Sequence, residues 1–595
     1  MKKNIIFLVV DSFLFKKIGN TKFGPSSTPF LDSIKEKCMF ANNMYSQGPF
    51  TESGNKALLT GSDSLNNRGY MHNLNESGSI YLDVFKKNDY VISEFFIPYY
   101  LYSKKHFDNI DYQFFTTDFL IISVWGNRLK HFSELQKKRP LTEEEYSEIY
   151  KQLDLTFEAW DNFLENKIPS KYKYIQRLVK DFPFDDNRKI LQEEREKYLN
   201  NKKEYADSFL LKGETHELFT RISTCDYGNY LDEGFIKKNF YEKRSHLIKR
   251  IRKLQLKYSL RNSKLNHWQL IKSCFNCVCN RKVDGYLKSV LFLLFSGKIA
   301  SLYHHHDFIK MLPSCRVMLR GAVEQLINNK TGKPMLIHLH PEELHNRTSF
   351  FSYDISDEQL IDYEMTTCEN HLDCLKDNYC GEIVYDLALL YIDDCIKEAF
   401  ESLKGSGMLE RTLFVITSDH GYSYDCTPLR DQFVNNHHTE NYHIPLIIYD
   451  GTNPSGRIIN SYHTSKDVLP TIYDLCGIDK PGEINGKSIL NKDNQNEFAI
   501  SEYMGGGCPD MINRPIHFMI RDRKYLVCYI VKMIDDFEKG ELVEVYDLEK
   551  DPDEVKNIVG DRSLIDRISY LLDILKVRKE KIFQSYMECK VSLRQ

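Results

Sequence analysis

Residues 412–421 read TLFVITSDHG, and residues 4–12 read NIIFLVVDS. Each is an apolar, strand-favouring run that stops at an acidic residue, Asp11 in one and Asp419 followed by His420 in the other. Runs of about four to eight such residues without polar alternation suit strands buried on both faces, as parallel sheets require. Working outward, TPFLDSIKEKCMF (28–40) fits a helix leading to a strand, MLIHL (335–339) and IPLIIYD (444–450) read as strands, and YDLALLYIDDCIKEAFESL (385–403) reads as a helix. Strands alternating with helices predict an α/β fold whose mostly parallel sheet is sandwiched by helices. Ligands then bind beyond the carboxyl ends of the strands.

This texture divides the chain into three parts. Residues 1–104 and 326–490 form the expected catalytic α/β core. Residues 105–325 read as a helical insertion, with stretches such as LTEEEYSEIYKQLDLTFEAWDNFL (141–164) and LQEEREKYLNNKKEYADSFLL (191–211). Residues 491–595, with FAISEYM (498–504) and MIRDRKYLVCYIV (519–531), predict a small antiparallel sheet and a closing helix. Among 595 residues, 42% are hydrophobic and 28% charged, and the net charge is −4. That balance excludes a disordered or fibrous chain and a molecule built as a whole around a polyanion. Met1-Lys2-Lys3 runs straight into Ile5–Val10 without the core or cleavage site of an export signal, and no apolar stretch reaches spanning length. A cytoplasmic location, with peripheral contact at the inner membrane surface as an extension, is therefore expected, and the 15 cysteines are expected to be free thiols.

Two strand ends carry the chemistry. Asp11, Asp419 and His420 offer hard oxygens and one imidazole, which suit one divalent metal ion. Zn²⁺ or Mn²⁺ is favoured, with Ca²⁺ or Mg²⁺ less so because of the nitrogen ligand. A strand-end Asp is also a common helix cap or turn former, so neither run decides the matter alone.

Six motifs in order decide it: NIIFLVVDS, TPFLDSIKEKCMFANNMYSQGPFTESGNKALLTG, TLFVITSDHG, ENYHIPLIIYDG, HTSKDVLPTIYDLCGI with Gly486 in NGKS, and VYDLEKDPDEVKNI. Together they resemble the sulfatase branch of the alkaline phosphatase superfamily over residues 1 to about 100 and 330 to about 560. The resemblance implies that family's sheet and a metal at Asp11, Asp419, His420 and Thr51. Aligned on LTG, the family's nucleophile motif Cys/Ser-x-Pro-Ser-Arg falls on Thr51-Glu52-Ser53-Gly54-Asn55. A threonine there implies no formylglycine. It is similar instead to the nucleophile of the superfamily's phosphodiesterases and of its phosphoethanolamine and phosphoglycerol transferases. The alternative for Thr51 is a helix N-cap, and a helix N-terminus also favours phosphate. The family's usual second Asp is replaced by Ser12, which argues for one metal rather than two.

By the same resemblance His338, His340 and His345 in IHLHPEELH stand where the family places leaving-group protonation or anion contacts. His338 and His340 are read as catalytic, and His345, with Asn55, His438 and His463, as substrate-binding. Each histidine can equally be a satisfied core or surface residue. The implied activity is metal-dependent transfer or hydrolysis of an anionic phosphoester, glycan- or lipid-linked precursors being one substrate class, through a phosphothreonine at Thr51. Its alternatives are a sulfuric ester hydrolase without formylglycine and an inactive, sulfatase-like binding protein.

The insertion has a separate signal. Residues 237–282 hold fourteen Lys or Arg against one acid, Glu242, with an apolar stripe of Ile248, Ile251, Leu254 and Leu256. Such a helix binds an anionic membrane surface or packs on acidic helices of its own chain. Nucleic acid is not expected, because no recognition motif accompanies the charge. Cys274, Cys277 and Cys279 lack the second pair of a zinc ribbon and read as plain thiols.

Overall fold

The computed structural model describes residues 2–19, 26–70, 80–95, 104–114, 121–165, 169–180, 182–222, 314–345, 379–422, 437–494, 496–505, 514–534 and 536–592. The basic stretch 237–282 and the cysteines 274, 277 and 279 lie outside them.

Eight strands make the central sheet: β1 (Asn4–Val9), β2 (Met39–Ala41), β4 (Val91–Phe95), β5 (Tyr112–Phe114), β6 (Met335–Leu339), β7 (Thr412–Thr417), β8 (Leu446–Asp450) and β9 (Arg457–Ile459). Their order is β5-β4-β6-β1-β7-β8-β2-β9. From β5 to β7 every pairing is parallel, while β8 runs antiparallel to both β7 and β2. β1 lies at the centre with all six residues buried, as an unbroken apolar run demands. The short strands β3 (Met44–Tyr45) and β10 (His463–Thr464) pair separately.

Helices α1 (Pro29–Ile34), α2 (Thr51–Thr60), α3 (Tyr81–Lys87), α7 (Cys315–Asn328), α8 (Tyr379–Gly405) and α9 (Val468–Cys476) surround this sheet. Between β5 and α7 the chain forms α4 (Glu143–Leu164), α5 (Phe184–Asn200) and α6 (Lys202–Lys212). α4 starts at a capping box, with Thr142 accepting from the Glu145 amide, and buries Ile149, Leu153, Phe157 and Trp160 along one stripe. β5 joins the sheet edge beside β4, and α7 packs on α8.

The chain closes with a four-stranded antiparallel sheet, β11 (Ala499–Tyr503), β12 (Ile516–Arg521), β13 (Tyr525–Val531) and β14 (Glu541–Asp547), and the helix α10 (Ile565–Ser592). Arg578 of α10 binds both carboxylate oxygens of Glu502 on β11, at 2.7 and 2.6 Å, and reaches Asp63 at 3.6 Å. Asp63 lies just beyond α2 and also takes Lys466 at 2.5 Å, so a buried charge network joins the small sheet to the core. Among the described residues no helix is long and apolar enough to cross a membrane.

α1 shows how the layers depend on one another. Its N-cap Thr28 makes no side-chain capping bond; instead Asp393 on α8 accepts from the amides of Phe30 (2.7 Å) and Leu31 (2.9 Å). Burial pushes the Asp393 carboxyl up to about 7, the two amide bonds opposing it only in part. In the folded chain Asp393 thus keeps a proton that the unfolded chain, titrating near 3.8, has released. Its contribution to stability is fully present at low pH, falls as pH rises through the interval up to about 7, and is flat above it. Asp393→Asn is expected to flatten the stability profile across that interval, where the wild type loses up to on the order of 4 kcal/mol. Urea unfolding at stepped pH measures this, and an unchanged slope in the variant would refute the assignment.

Candidate active site and metal centre

Strand register assembles the site. Val9 pairs with Thr417, and the Val10 amide bonds the Thr417 carbonyl at 2.9 Å, so Asp11 and Asp419 emerge side by side, each two residues past its paired strand position. On the other flank of β1, Leu8 pairs with Leu339, and His340 follows directly. Asp11, His340, Asp419 and His420 therefore meet at the carboxyl edge of three adjacent parallel strands, all nearly or fully buried.

Their side chains converge. His340 Nε2 lies 3.4 Å from Asp11 Oδ2 and 3.8 Å from Asp419 Oδ2. His420 Nε2 lies 3.4 Å from Asp11 Oδ1 and 3.8 Å from Asp419 Oδ2. His420 Nδ1 is 2.6 Å from the Gly421 carbonyl, which can only accept; Nδ1 therefore carries a proton, and Nε2 is the atom turned to the carboxylates, protonated against them or given to a metal. Gly421 permits a close crossing, because a Cβ there would lie 1.9 Å from the Glu440 carbonyl oxygen.

Thr51 arrives from the opposite side. It is the first residue of α2, and the N-cap is Phe50, not Thr51 as the capping alternative has it. Its hydroxyl is free to face the cluster, with Oγ1 3.4 Å from both Asp11 Oδ2 and His420 Nε2. Gly54 makes this approach possible, since a Cβ there would lie 2.0 Å from the Asp419 carbonyl oxygen. The first turn of α2 thus rests on the Asp419 backbone with its open amides and positive dipole end toward the site. Asn55, one turn beyond Thr51, is fully buried, and neither of its amide heavy atoms has a hydrogen-bond partner.

The charges are strongly linked. Burial opposes a charge on Asp11, but His345, the His340 hydrogen bond and His420 outweigh it and hold the carboxyl well below its usual range. Burial, followed by the charge on Asp11, raises Asp419. Against burial, Asp11 and Asp419 push His340 up to about 9 and raise His420 as well. The two acids are thus balanced by imidazolium protons, which a divalent cation can replace. The residues fit one: Asp11, His340 and Asp419 each bring a ligand atom within 4.8 Å of the others, as do Asp11, His345 and His420. Asp419 Oδ2 and His340 Nδ1 are buried with no hydrogen-bond partner. The His345 and His420 rings lie 6.0 Å apart.

Three expected site residues lie apart from this group. His338 sits inside β6, stacked on Phe7 at 4.8 Å, with Nδ1 3.0 Å from the Tyr81 hydroxyl and 3.4 Å from Glu94. Burial, then His340, holds its pKa well below the ordinary value, as suits a neutral histidine inside the core. His438 Nδ1 meets Glu554 at 3.2 Å, fastening its loop to the C-terminal part. His463 is buried at the start of the α9 segment, bonded to Ser461 at 2.8 Å and facing Asp467 at 3.6 Å.

Ser12 has a role that the sequence showed only as a missing acid. It takes φ +63°, donates from Oγ to Asp11 Oδ1 at 2.8 Å, and donates its amide to Asp419 Oδ1 at 3.3 Å. Tyr385 of α8 holds this bend, donating to the Ser12 carbonyl at 2.7 Å and accepting from the Leu14 amide at 2.8 Å. A bulky residue strained into this left-handed bend would misplace both acids.

Comparison with known proteins agrees with this geometry. The Sulfatase family model matches residues 3–96 and 275–478, half of the chain, and the model for the C-terminal part of N-sulphoglucosamine sulphohydrolase matches residues 434–581. The multifunctional alkaline phosphatase superfamily protein PehA of Trinickia caryophylli is 33% identical over 127 residues, 21% of this chain and 23% of the relative. An arylsulfatase of Clostridium perfringens is 27% identical over 204 residues, 33% of this chain and 39% of the relative. The chain thus spans well under two thirds of either relative's length. The phosphonate monoester hydrolase of Agrobacterium radiobacter shares the fold at 12% identity with a TM-score of 0.51, covering 98% of this chain and 96% of that one. With the family's model aligned over the strands that carry Asp11 and Asp419 and over the helix that carries Thr51, the chain belongs to the sulfatase family, within the alkaline phosphatase superfamily.

Proposed function

We propose that the chain is a metal-dependent enzyme that transfers or hydrolyses an anionic phosphoester, with Thr51 as nucleophile. One observation carries the reading: the Thr51 hydroxyl, at the open end of α2, lies 3.4 Å from both Asp11 and His420. Asp11, Asp419, His420 and His340 would hold the cation, with Zn²⁺ or Mn²⁺ favoured by the imidazole ligands. When bound, it supplies positive charge that favours loss of the Thr51 proton and offsets charge developing on phosphorus.

Thr51 gives up its hydroxyl proton toward the Asp11 Oδ2 oxygen 3.4 Å away and attacks phosphorus in line. The Thr51 O–P bond forms as the bond to the leaving oxygen breaks, and the departing oxygen takes a proton from the histidine-lined pocket, where His345 stands beside His420. Water, or an acceptor hydroxyl in a transferase, then attacks the phosphothreonine ester and frees Thr51. The amides in the first turn of α2 face the transferred group's oxygens. Asn55 offers a neutral amide where sulfatases carry an arginine, so the pocket holds its anion with less fixed positive charge.

A second reading, hydrolysis of a sulfuric ester, is favoured by the family and by the arylsulfatase relative. It requires a sulfate ester to be cleaved without formylglycine, because Thr51 occupies the position where that aldehyde is made. Relative rates on bis-p-nitrophenyl phosphate and p-nitrophenyl sulfate separate the two, and a clear preference for the sulfate would overturn the phosphoester reading.

Thr51→Ala is expected to lower kcat at least about a thousandfold while leaving the melting temperature and bound metal unchanged. Intact-protein mass spectrometry on wild type incubated with donors should show a phosphoryl-type adduct on Thr51; full activity in the variant would exclude the assignment. Gly54→Ala, which drives a Cβ into the Asp419 backbone, is expected to cost about a hundredfold in kcat by displacing Thr51. A Gly54→Ala enzyme with wild-type kcat would show that this close packing does not position the nucleophile.

A further inference from the structure

The small C-terminal sheet has one face that is polar in an unusual way. Register pairs Tyr503 with His517, Met519 with Cys528, and Cys528 with Glu544, so these five side chains share a face across β11–β14. Glu502, on the opposite face, is the residue held by Arg578 of α10. The Tyr503–Cys528 face therefore looks away from that helix, and His437, from the loop before β8, covers it.

His437 makes both ring and hydrogen-bonding contacts there. Its Nδ1 lies 3.2 Å from Glu544 Oε1, and its Nε2 lies 3.0 Å from His517 Nδ1 and 3.5 Å from the Tyr503 hydroxyl. Its ring lies 5.3 Å from that of His517, which itself stacks on Tyr503 at 4.5 Å. His437 is 2% exposed and Cys528 is completely buried. The β13–β14 ladder shifts register between Cys528 and Tyr529, an irregularity of the kind that re-aims a side chain. An apolar face would pack more cheaply than an imidazole pair, a thiol and a carboxylate.

We propose that His437, Cys528 and Glu544 form a second metal site, selective for Zn²⁺, that fastens the loop before β8 to the C-terminal sheet. Each residue brings one ligand atom within 4.8 Å of the other two. Thiolate, imidazole and carboxylate are the donor set zinc favours, and a water completes four-coordination. With His437 Nδ1 on the metal, Nε2–H donates to His517 Nδ1, so His517 fixes the ring's tautomer and orientation. Without the metal, Nδ1–H donates to Glu544 Oε1 at 3.2 Å, and the cation would take the place of that proton. Zinc takes cysteine as the thiolate, so binding releases the Cys528 thiol proton to solvent.

The site's position gives it a purpose. Four residues after His437, the Asn441 carbonyl accepts the Gly421 amide at 2.9 Å, and the Glu440 carbonyl accepts the Tyr422 amide at 3.0 Å. The loop that zinc would fasten is therefore the one that backs His420.

Full-length protein, stripped by chelation and reloaded with Zn²⁺ or Co²⁺, tests this. Among the described residues the Asp11–Asp419 centre contains no sulfur, so the part of a thiolate-to-cobalt charge-transfer band that changes between variants reports the new site. Asp419→Asn is expected to keep the band, whereas Cys528→Ser and His437→Ala lose it together with one equivalent of zinc by elemental analysis. His437 lies in a loop, so its variant decides the matter if Cys528→Ser fails to fold by circular dichroism. The proposal is overturned by a band that persists in folded His437→Ala, by wild type that shows no band, or by unchanged zinc content in either folded variant. Any of these leaves the cluster a hydrogen-bonded core feature.

Discussion

Two carboxylates, Asp11 and Asp419, are buried at the ends of adjacent strands and share the same two imidazoles at 3.4–3.8 Å. Like charges in a site closed to water repel strongly, so positive charge must be placed between them. Much of the surrounding structure meets that demand. The β6-β1-β7 register sets the two acids side by side, His340 and His420 come from the same strand ends, and Ser12 bends the chain to bond both acids at once. The first turn of α2 lies against Asp419 and adds the partial charge of its amides. A metal ion in this place completes a balance that the protein otherwise strikes with protons.

The same constraint explains which features were legible in the sequence. β1 and β7 could be read because both are buried on two faces, which leaves an unbroken apolar run, and the acids ending them stand out against it. Thr51 was legible as a position in an ordered set of motifs, not from any local property. The reason it can approach the acids, the missing Cβ of Gly54, is invisible until the Asp419 backbone is set against it. His338 and His340 look equivalent in IHLH, yet β6 stops at Leu339. One histidine is therefore inside the sheet, facing Tyr81 and Glu94, and the other is beyond its edge. Both partners of His338 come from more than 240 residues away, so no local pattern could separate the pair.

The C-terminal sheet is more than an appendage. Glu554 takes His438 and the Thr439 amide, Arg578 bridges Glu502 and Asp63, and Ser501 donates to the Ser46 carbonyl at 2.6 Å. Ser46 in turn donates to the Asp419 carbonyl at 2.5 Å. Residues from the last hundred positions are thus two hydrogen bonds away from Asp419. This continuity was not legible in residues 491–595, because the bonds run between loops and strand edges that carry no periodic signal.

The order in which the chain is synthesised has a consequence. β1 leaves the ribosome well before its neighbours β6 and β7, which follow roughly three and four hundred residues later, as the 329- and 407-residue separations of His340 and Asp419 from their partners at Asp11 and Ser12 record. Until they emerge, six apolar residues with two unpaired edges wait in the cell. Contacts of such long span form slowly and invite pairing with other nascent chains, so yield in the cell should depend on chaperone supply and translation speed more than on the melting point of the finished protein.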